Sequence, residues 1–195
     1  MLTAIVLAAG MSKRMGGANK LLLPYHQSTV IRTVVENILD AGIGEVIVVV
    51  GYEAAAVKNA LKNLPVIFID NPGYETGMTG SIQQGVQQAT GNGYLICLAD
   101  MVLISPAEYA MMNNHFEQQI LLDEKRICLP LYNNQKGNPV IFSSFYKTAI
   151  LNTKEPEGCK QIVQASKENI AWVQMPTDHV LTDMDDYETY QRLLQ

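Results

Sequence analysis

Leu7-Ala8-Ala9-Gly10-Met11-Ser12-Lys13-Arg14-Met15-Gly16-Gly17-Ala18-Asn19-Lys20 follows directly on the apolar run Thr3-Ala4-Ile5-Val6. The reading is a buried strand, Thr3 to Ala9, that breaks into a glycine-containing loop. Gly10, Gly16 and Gly17 let backbone amides come close to an anion, and a turn of such amides forms an anion-binding concavity. Arg14 adds a planar fork for phosphate oxygens, and Lys13 and Lys20 add compact charges. No acid precedes Glu36, although the chain carries a net charge of -5. The same composition also suits a glycine-rich surface turn with solvated lysines.

Two common nucleotide loops are excluded. A P-loop requires Gly-x-x-x-x-Gly-Lys-Ser/Thr, and here Gly17-Ala18 follows Gly16. The dinucleotide fingerprint Gly-x-Gly-x-x-Gly is absent as well.

Outward from this loop, strand and helix patterns alternate. Helices are expected over Thr29 to Ala41, Ala54 to Leu64, Thr79 to Ala89 and Pro106 to Gln118, then over Ser143 to Leu151, Gly158 to Lys167 and Tyr187 to Leu194. Strands are expected over Glu45 to Gly51, Val66 to Ile69 and Tyr94 to Leu98. Two more, Ile127 to Leu131 and Pro139 to Phe142, are expected to flank a polar turn at Asn133 to Gly137. This alternation predicts an α/β fold, a mostly parallel sheet with helices on both faces. One domain is expected over residues 1–195. Ligands then bind beyond the carboxyl ends of the strands. Gly10 to Lys20, Asn71-Pro72 and Asp100-Met101 each follow a predicted strand.

Asp100 ends the apolar run Tyr94 to Ala99. It reads either as a ligand of Mg²⁺, which takes one or two carboxylates plus substrate phosphates, or as a cap of the helix that begins at Pro106. Asp183-Met184-Asp185-Asp186 reads as a solvated helix start, with Asp186 favoured by the helix dipole. Asn71 to Ser81 reads as a loop leading into a helix capped by Thr79 or Ser81, and such a helix start also binds anionic or polar groups.

Leu7, Ala8, Ala9, Gly10, Ser12, Arg14, Met15, Gly16, Lys20, Leu21, Leu22 and Pro24 together resemble the signature of the molybdenum cofactor and sugar-nucleotide nucleotidyltransferases. Within these MobA-like proteins, the molybdenum cofactor cytidylyltransferase branch is the most similar. The resemblance implies a three-layer α/β/α Rossmann-like nucleotidyltransferase fold. It implies that the loop wraps the triphosphate, with Arg14, Lys20 and Asp100 catalytic. It places Asn71, Gly77, Met78 and Ser81 at the base and ribose. It makes Asp100 and Asp185 the Mg²⁺ ligands, with Asp183 in reserve, and it places Gly137, Asn138 and Pro139 on the acceptor side. Ala99, Val102 and Asn138 depart from the family's usual Gly, Pro and His.

The activity implied is transfer of a nucleoside monophosphate to a phosphorylated acceptor. CTP is the favoured donor and GTP the alternative, with molybdopterin as the favoured acceptor and a molybdoenzyme or its chaperone as a downstream partner. Two other outcomes stay open: a sugar- or polyol-phosphate nucleotidyltransferase, and a non-catalytic nucleotide-binding protein of this fold.

Composition narrows the classes further. Hydrophobic residues make up 48% of the chain and charged residues 17%. Such a chain can bury a sizeable core. Its acidic balance argues against general nucleic-acid binding. No run reaches the ~18 apolar residues of a membrane span. Cys97, Cys128 and Cys159 lack CxxC spacing, which suits a reducing compartment, so a cytoplasmic protein is expected. His26, His115 and His179 have no metal-ligand spacing, and Trp172 reads as a core residue.

Overall fold

The structure, a computed structural model, describes residues 1–194. Strand β1 (Leu2–Ala8) is followed by the glycine loop and a small hairpin of β2 (Pro24–Tyr25) and β3 (Ser28–Thr29). Next come α1 (Val30–Asp40), β4 (Glu45–Val50), α2 (Ala54–Ala60), β5 (Ile67–Asp70), α3 (Met78–Gln88), β6 (Gly93–Leu98) and α4 (Pro106–Leu122). The remainder contains β7 (Ile127–Tyr132), β8 (Gln135–Lys136), β9 (Val140–Ser143), α5 (Lys147–Asn152), α6 (Lys160–Ala165), β10 (Ile170–Gln174) and α7 (Tyr187–Leu193). The expected α/β fold, a mostly parallel sheet with helices on both faces, is present. Its eight-stranded sheet runs β10-β7-β9-β6-β1-β4-β5, with β8 added to β7.

The sheet is parallel at β6-β1-β4-β5 and at β10-β7, and β9 runs antiparallel between β6 and β7. Successive side chains on a strand point to opposite faces. Along β1 this divides the core in two: Ala4, Val6 and Ala8 face α1, whereas Ile5 faces α3. Helix α1 buries Val30, Ile31, Val34, Val35 and Ile38, the spacing of one helical face. Full burial of such side chains is worth about 1.5–3 kcal/mol each. Gly85 lets α3 approach β1 closely, since a Cβ there would overlap the Ile5 side chain.

Three expectations change. The polar turn does not join two long strands. Asn133 has φ 46° and Asn134 has φ 63°. Together they make a two-residue hairpin turn that sends β8 back along β7. Val140–Ser143 then pairs separately, between β6 and β7. A strand was also missed: in β10, buried Ala171 and Val173 alternate with outward residues. Trp172 is therefore no core residue. It is 37% exposed on an edge strand, with Lys136 Nζ 5.4 Å from its ring centre. The expected helix at Ser143 is shorter, beginning as a 3-10 turn at Ser144–Tyr146 before α5.

Cys97, Cys128 and Cys159 are free and buried. Among the described residues, no helix is long and apolar enough to cross a membrane.

Candidate active site

The chain runs outward from β1 to β4 and β5, then returns to place β6 on the other side of β1. In a doubly wound sheet, the crevice at the carboxyl ends of two such strands is where ligands bind. The glycine loop leaves the end of β1, and Asp100 follows the end of β6.

The loop has a fixed shape. Ser12 adopts the left-handed conformation, φ 51°, and its carbonyl accepts from Met15 N at 2.9 Å. Held strain of this kind in a non-glycine residue clusters at functional sites. Ser12 Oγ also accepts from Lys20 N at 3.1 Å, and Asn19 Oδ1 accepts from Leu21 N at 3.1 Å. Met15 is buried and anchors the loop in the core. Gly16 has φ 65° and Gly17 has φ 100°, conformations that favour glycine.

The loop cations meet the two carboxylates. Lys20 Nζ donates to Asp100 Oδ2, and to Asp185 Oδ1 at 2.9 Å. Arg14 Nη2 lies 2.8 Å from Asp185 Oδ2, with the Arg14 side chain 70% exposed. Burial disfavours the charged form of an acid. It pushes the Asp100 carboxyl up from its ordinary value, and the Lys20 ammonium opposes that shift. Burial works the same way on Asp185, but Lys20 and Arg14 outweigh it and hold the group low. Burial lowers the Lys20 pKa, yet Asp100 and Asp185 together leave it above its ordinary value.

These groups line a cavity of about 550 Å³. Leu7, Ala9, Gly10, Ser12, Arg14, Lys20, Gly77, Met78, Ser81, Asp100 and Asp185 all lie on its wall. Ala8 and Asn71 stand behind it, outside the lining residues. Ala8 packs into the core. Asn71 acts as a bracket: its Nδ2 donates to Ser81 Oγ at 2.9 Å, and its Oδ1 accepts from Gly73 N at 3.1 Å.

The structure removes the capping reading of Asp100 and assigns a cap role to Asp186. Ser105 caps α4 in a reciprocal arrangement with Glu108, the capping box, so Asp100 is not its cap. Asp186 caps α7, accepting from Thr189 N at 2.8 Å. Asp183 and Asp185 are left facing the cavity.

The cap expected for α3 is corrected. Gly77 precedes the helix with φ 119°, and neither Thr79 nor Ser81 caps it. Thr79 lies within the first turn instead. Its hydroxyl donates to the Glu155 carbonyl and accepts from Gly158 N at 2.9 Å. Gly77 leaves no room for a side chain, since a Cβ would stand 2.9 Å from Pro156 O.

Gly137, Asn138 and Pro139 lie outside the cavity lining. Asn138 N donates to Val180 O at 2.9 Å, and Gly137 sits against that same carbonyl. They brace the segment that leads to Asp183.

Sequence reading gave no role to the wall residues Met11, Tyr74 and Glu75. The signal for Tyr74 was Gly51 at the end of β4, where a Cβ would overlap the Tyr74 ring. It also missed the link between Glu108 and His179, which have no sequence proximity.

The carboxylates fit a hard divalent cation. Asp100 and Asp185 already converge on one cationic nitrogen, and they offer only oxygen donors, which such a cation prefers. Among the described residues no group of three or more His, Cys, Asp or Glu forms a metal cage. Substrate oxygens would therefore have to complete the coordination.

The comparisons with known proteins bear on family and fold. Residues 4–179 match a family model described as the MobA-like NTP transferase domain. The nicotine blue oxidoreductase of Paenarthrobacter nicotinovorans is 26% identical over 98% of this chain and 96% of its own. The molybdenum cofactor cytidylyltransferase of Escherichia coli K12 is 28% identical over 71% of this chain and 68% of its own. A nucleotidyl transferase structure from Methanothermobacter superposes with TM-score 0.86 at 24% identity, covering 99% of this chain and 95% of that one. The Rv0371C structure from Mycobacterium tuberculosis, in complex with manganese, has TM-score 0.77 at 22% identity, covering 99% of this chain and 97% of that one.

Proposed function

Because the chain belongs to the MobA-like NTP transferase family and is a nucleotidyltransferase, we propose that it transfers CMP from CTP to molybdopterin, as one domain, in the cytoplasm. The observation that carries this reading is the convergence of Arg14, Lys20, Asp100 and Asp185 on one wall of the cavity.

The loop amides, Lys13 and Arg14 bind the β- and γ-phosphates, and Lys20 reaches the phosphate chain from the cavity floor. The base and ribose lie towards Gly77, Met78 and Ser81, in the half of the cavity walled by Tyr74. Asp100 and Asp185 hold Mg²⁺, whose charge, when bound, offsets that of the phosphates. The manganese complex of the Mycobacterium protein supports a divalent cation in this fold.

An oxygen of the acceptor phosphate forms a bond to the α-phosphorus. The bond from that phosphorus to the bridging oxygen breaks, and pyrophosphate leaves with the electron pair. No covalent enzyme intermediate is needed, because positioning and charge stabilisation supply most of the catalysis in phosphoryl transfer. Arg14 and Lys20 stabilise the charge that builds on the leaving pyrophosphate.

The cytidylyltransferase relative supports CTP and molybdopterin. The full-length likeness to an enzyme named as an oxidoreductase favours a second reading, redox chemistry on the same fold. The cationic loop lacks a dinucleotide fingerprint, which favours the triphosphate. A thermal-shift panel of CTP, GTP, ATP, UTP and NADPH with Mg²⁺ separates the readings, since a ligand raises apparent stability by mass action. CTP is expected to give the largest shift. A response to NADPH alone moves the assignment to the second reading.

A further inference from the structure

The two carboxylates assigned to the divalent cation are already bridged by a cation belonging to the chain. Lys20 Nζ contacts Asp185 Oδ1 at 2.9 Å and also Asp100 Oδ2. Its side chain is 18% exposed and that of Asp100 only 8%. The lysine backbone is held from behind, because its N–H donates to Ser12 Oγ and Asn19 closes the same turn. Only the four-carbon stem is free to move the ammonium.

Two cations cannot share this place. An ammonium within hydrogen-bond distance of both carboxylates occupies the oxygens that a metal would use. It also repels a second positive charge a few ångströms away, in a partly buried site where Coulomb energies exceed those in water. No three-acid cage exists among the described residues to outbid it.

A triphosphate changes the balance. It brings several negative charges to the wall formed by Gly10, Lys13 and Arg14, within reach of the flexible Lys20 stem. It also brings the oxygens that complete a hard cation's coordination.

We propose that Lys20 is a place-holding cation, which closes the Asp100–Asp185 site to divalent metal until a triphosphate draws it away. The inference rests on the metal assignment under Proposed function. The device makes metal uptake conditional on nucleotide and leaves no tightly bound metal on the empty enzyme. Lys20 thus serves twice, first against the carboxylates and then against the phosphates.

The test is direct binding of Mn²⁺, read from loss of the free-ion electron paramagnetic resonance signal. Without nucleotide, Lys20→Met is expected to bind Mn²⁺ at least ~10-fold more tightly than the unaltered chain. Adding Asp185→Asn to Lys20→Met should abolish that gain. A second measurement uses the unaltered chain alone, in case Lys20→Met does not fold. Saturation with α,β-methylene-CTP should raise protein-bound Mn²⁺ at least ~10-fold, after correction for the nucleotide's own complex. Equal Mn²⁺ affinity in the unaltered chain and Lys20→Met, or with and without the analogue, overturns the place-holding role while leaving the metal site intact. Mn²⁺ uptake by neither protein under any of these conditions removes the metal site itself, and the inference with it.

Discussion

Glu108 Oε2 lies 2.9 Å from His179 Nδ1, so one buried carboxylate ties the start of α4 to the turn that precedes Asp183 and Asp185. Thr177 donates to the other oxygen of Glu108 at 2.5 Å, and the Ser105 amide and hydroxyl also donate to the carboxylate. Asp100 lies at the near end of the segment that Ser105 closes. Glu108 therefore joins the two stretches of chain that carry Asp100 and Asp185.

This linkage sets a pH dependence. Burial alone would raise the Glu108 carboxyl, but Thr177, His179 and Ser105 outweigh it and hold the group below 4.5. A depressed acid stabilises the fold above its unfolded pKa, and that contribution is lost as pH falls through the folded value. Glu108→Gln is expected to cost about 1–3 kcal/mol at neutral pH. The gap between the two proteins should shrink steadily below the ordinary value of 4.5. Urea unfolding at a series of pH values measures it, and a gap unchanged into acid would show that the carboxylate charge is irrelevant.

Arg14 separates chemistry from stability. Its side chain is 70% exposed and pairs only with Asp185 among the described residues. Exposed ion pairs contribute about 0–1 kcal/mol, so Arg14→Ala should leave thermal stability almost unchanged. Turnover should fall at least ~100-fold, through loss of a charge that acts on the departing pyrophosphate. Steady-state pyrophosphate release alongside a melting curve provides both quantities.

Asn71 is expected to behave in the opposite way. It is buried, lies outside the cavity lining, and holds Ser81 on the wall by a 2.9 Å hydrogen bond. Asn71→Ala leaves the Ser81 hydroxyl and Gly73 amide without their partner and should cost about 1–3 kcal/mol. Through the displaced first turn of α3 it should also raise the KM for nucleotide. Denaturant unfolding and a nucleotide titration check the two effects separately.

Gly85→Ala tests the packing of α3. The added methyl would overlap Ile5 on the central strand. Overpacking of this kind costs about 1–3 kcal/mol, more than the helix propensity gained from alanine. Chemical denaturation showing a neutral or stabilising effect would mean that α3 can shift outward freely.

The sequence reading succeeded where a single local pattern carried the information. The apolar run before Gly10 located β1 and its loop, and the Ile-Val-Val-Val run over residues 47–50 located a fully buried strand. The position of Asp100 followed from the strand that it ends. What the sequence hid were choices made between distant residues. Asp100 could have been a helix cap until Ser105 was seen to occupy that place. Asp183, Asp185 and Asp186 are neighbours in sequence, yet only Asp186 caps α7, and the other two face the cavity. Strand β10 is five residues long and keeps only two of them buried, so its alternation was too brief to stand out. The bond from the Asn138 backbone to Val180 joins residues far apart in sequence, so it too was out of reach of a local pattern.

The carboxylates give a sharper mutational prediction. Asp100→Asn and Asp185→Asn each remove a charge from the site that Lys20 bridges, and turnover should fall sharply, with weaker binding of the metal–nucleotide complex. Asp183→Asn should do much less, since Asp183 makes no ion pair with Lys20 or Arg14. Loss of activity in Asp183→Asn alone would transfer the second ligand role to that residue.

The central claim, transfer of a nucleoside monophosphate, is tested most directly by CTP labelled at the α-phosphorus. The protein is incubated with labelled CTP, Mg²⁺ and molybdopterin, and the products are separated. The account predicts label on the acceptor and one unlabelled pyrophosphate per transfer, with both products lost in Asp100→Asn. Label confined to CTP, with no pyrophosphate released from any triphosphate on either molybdopterin or a sugar phosphate, would contradict it.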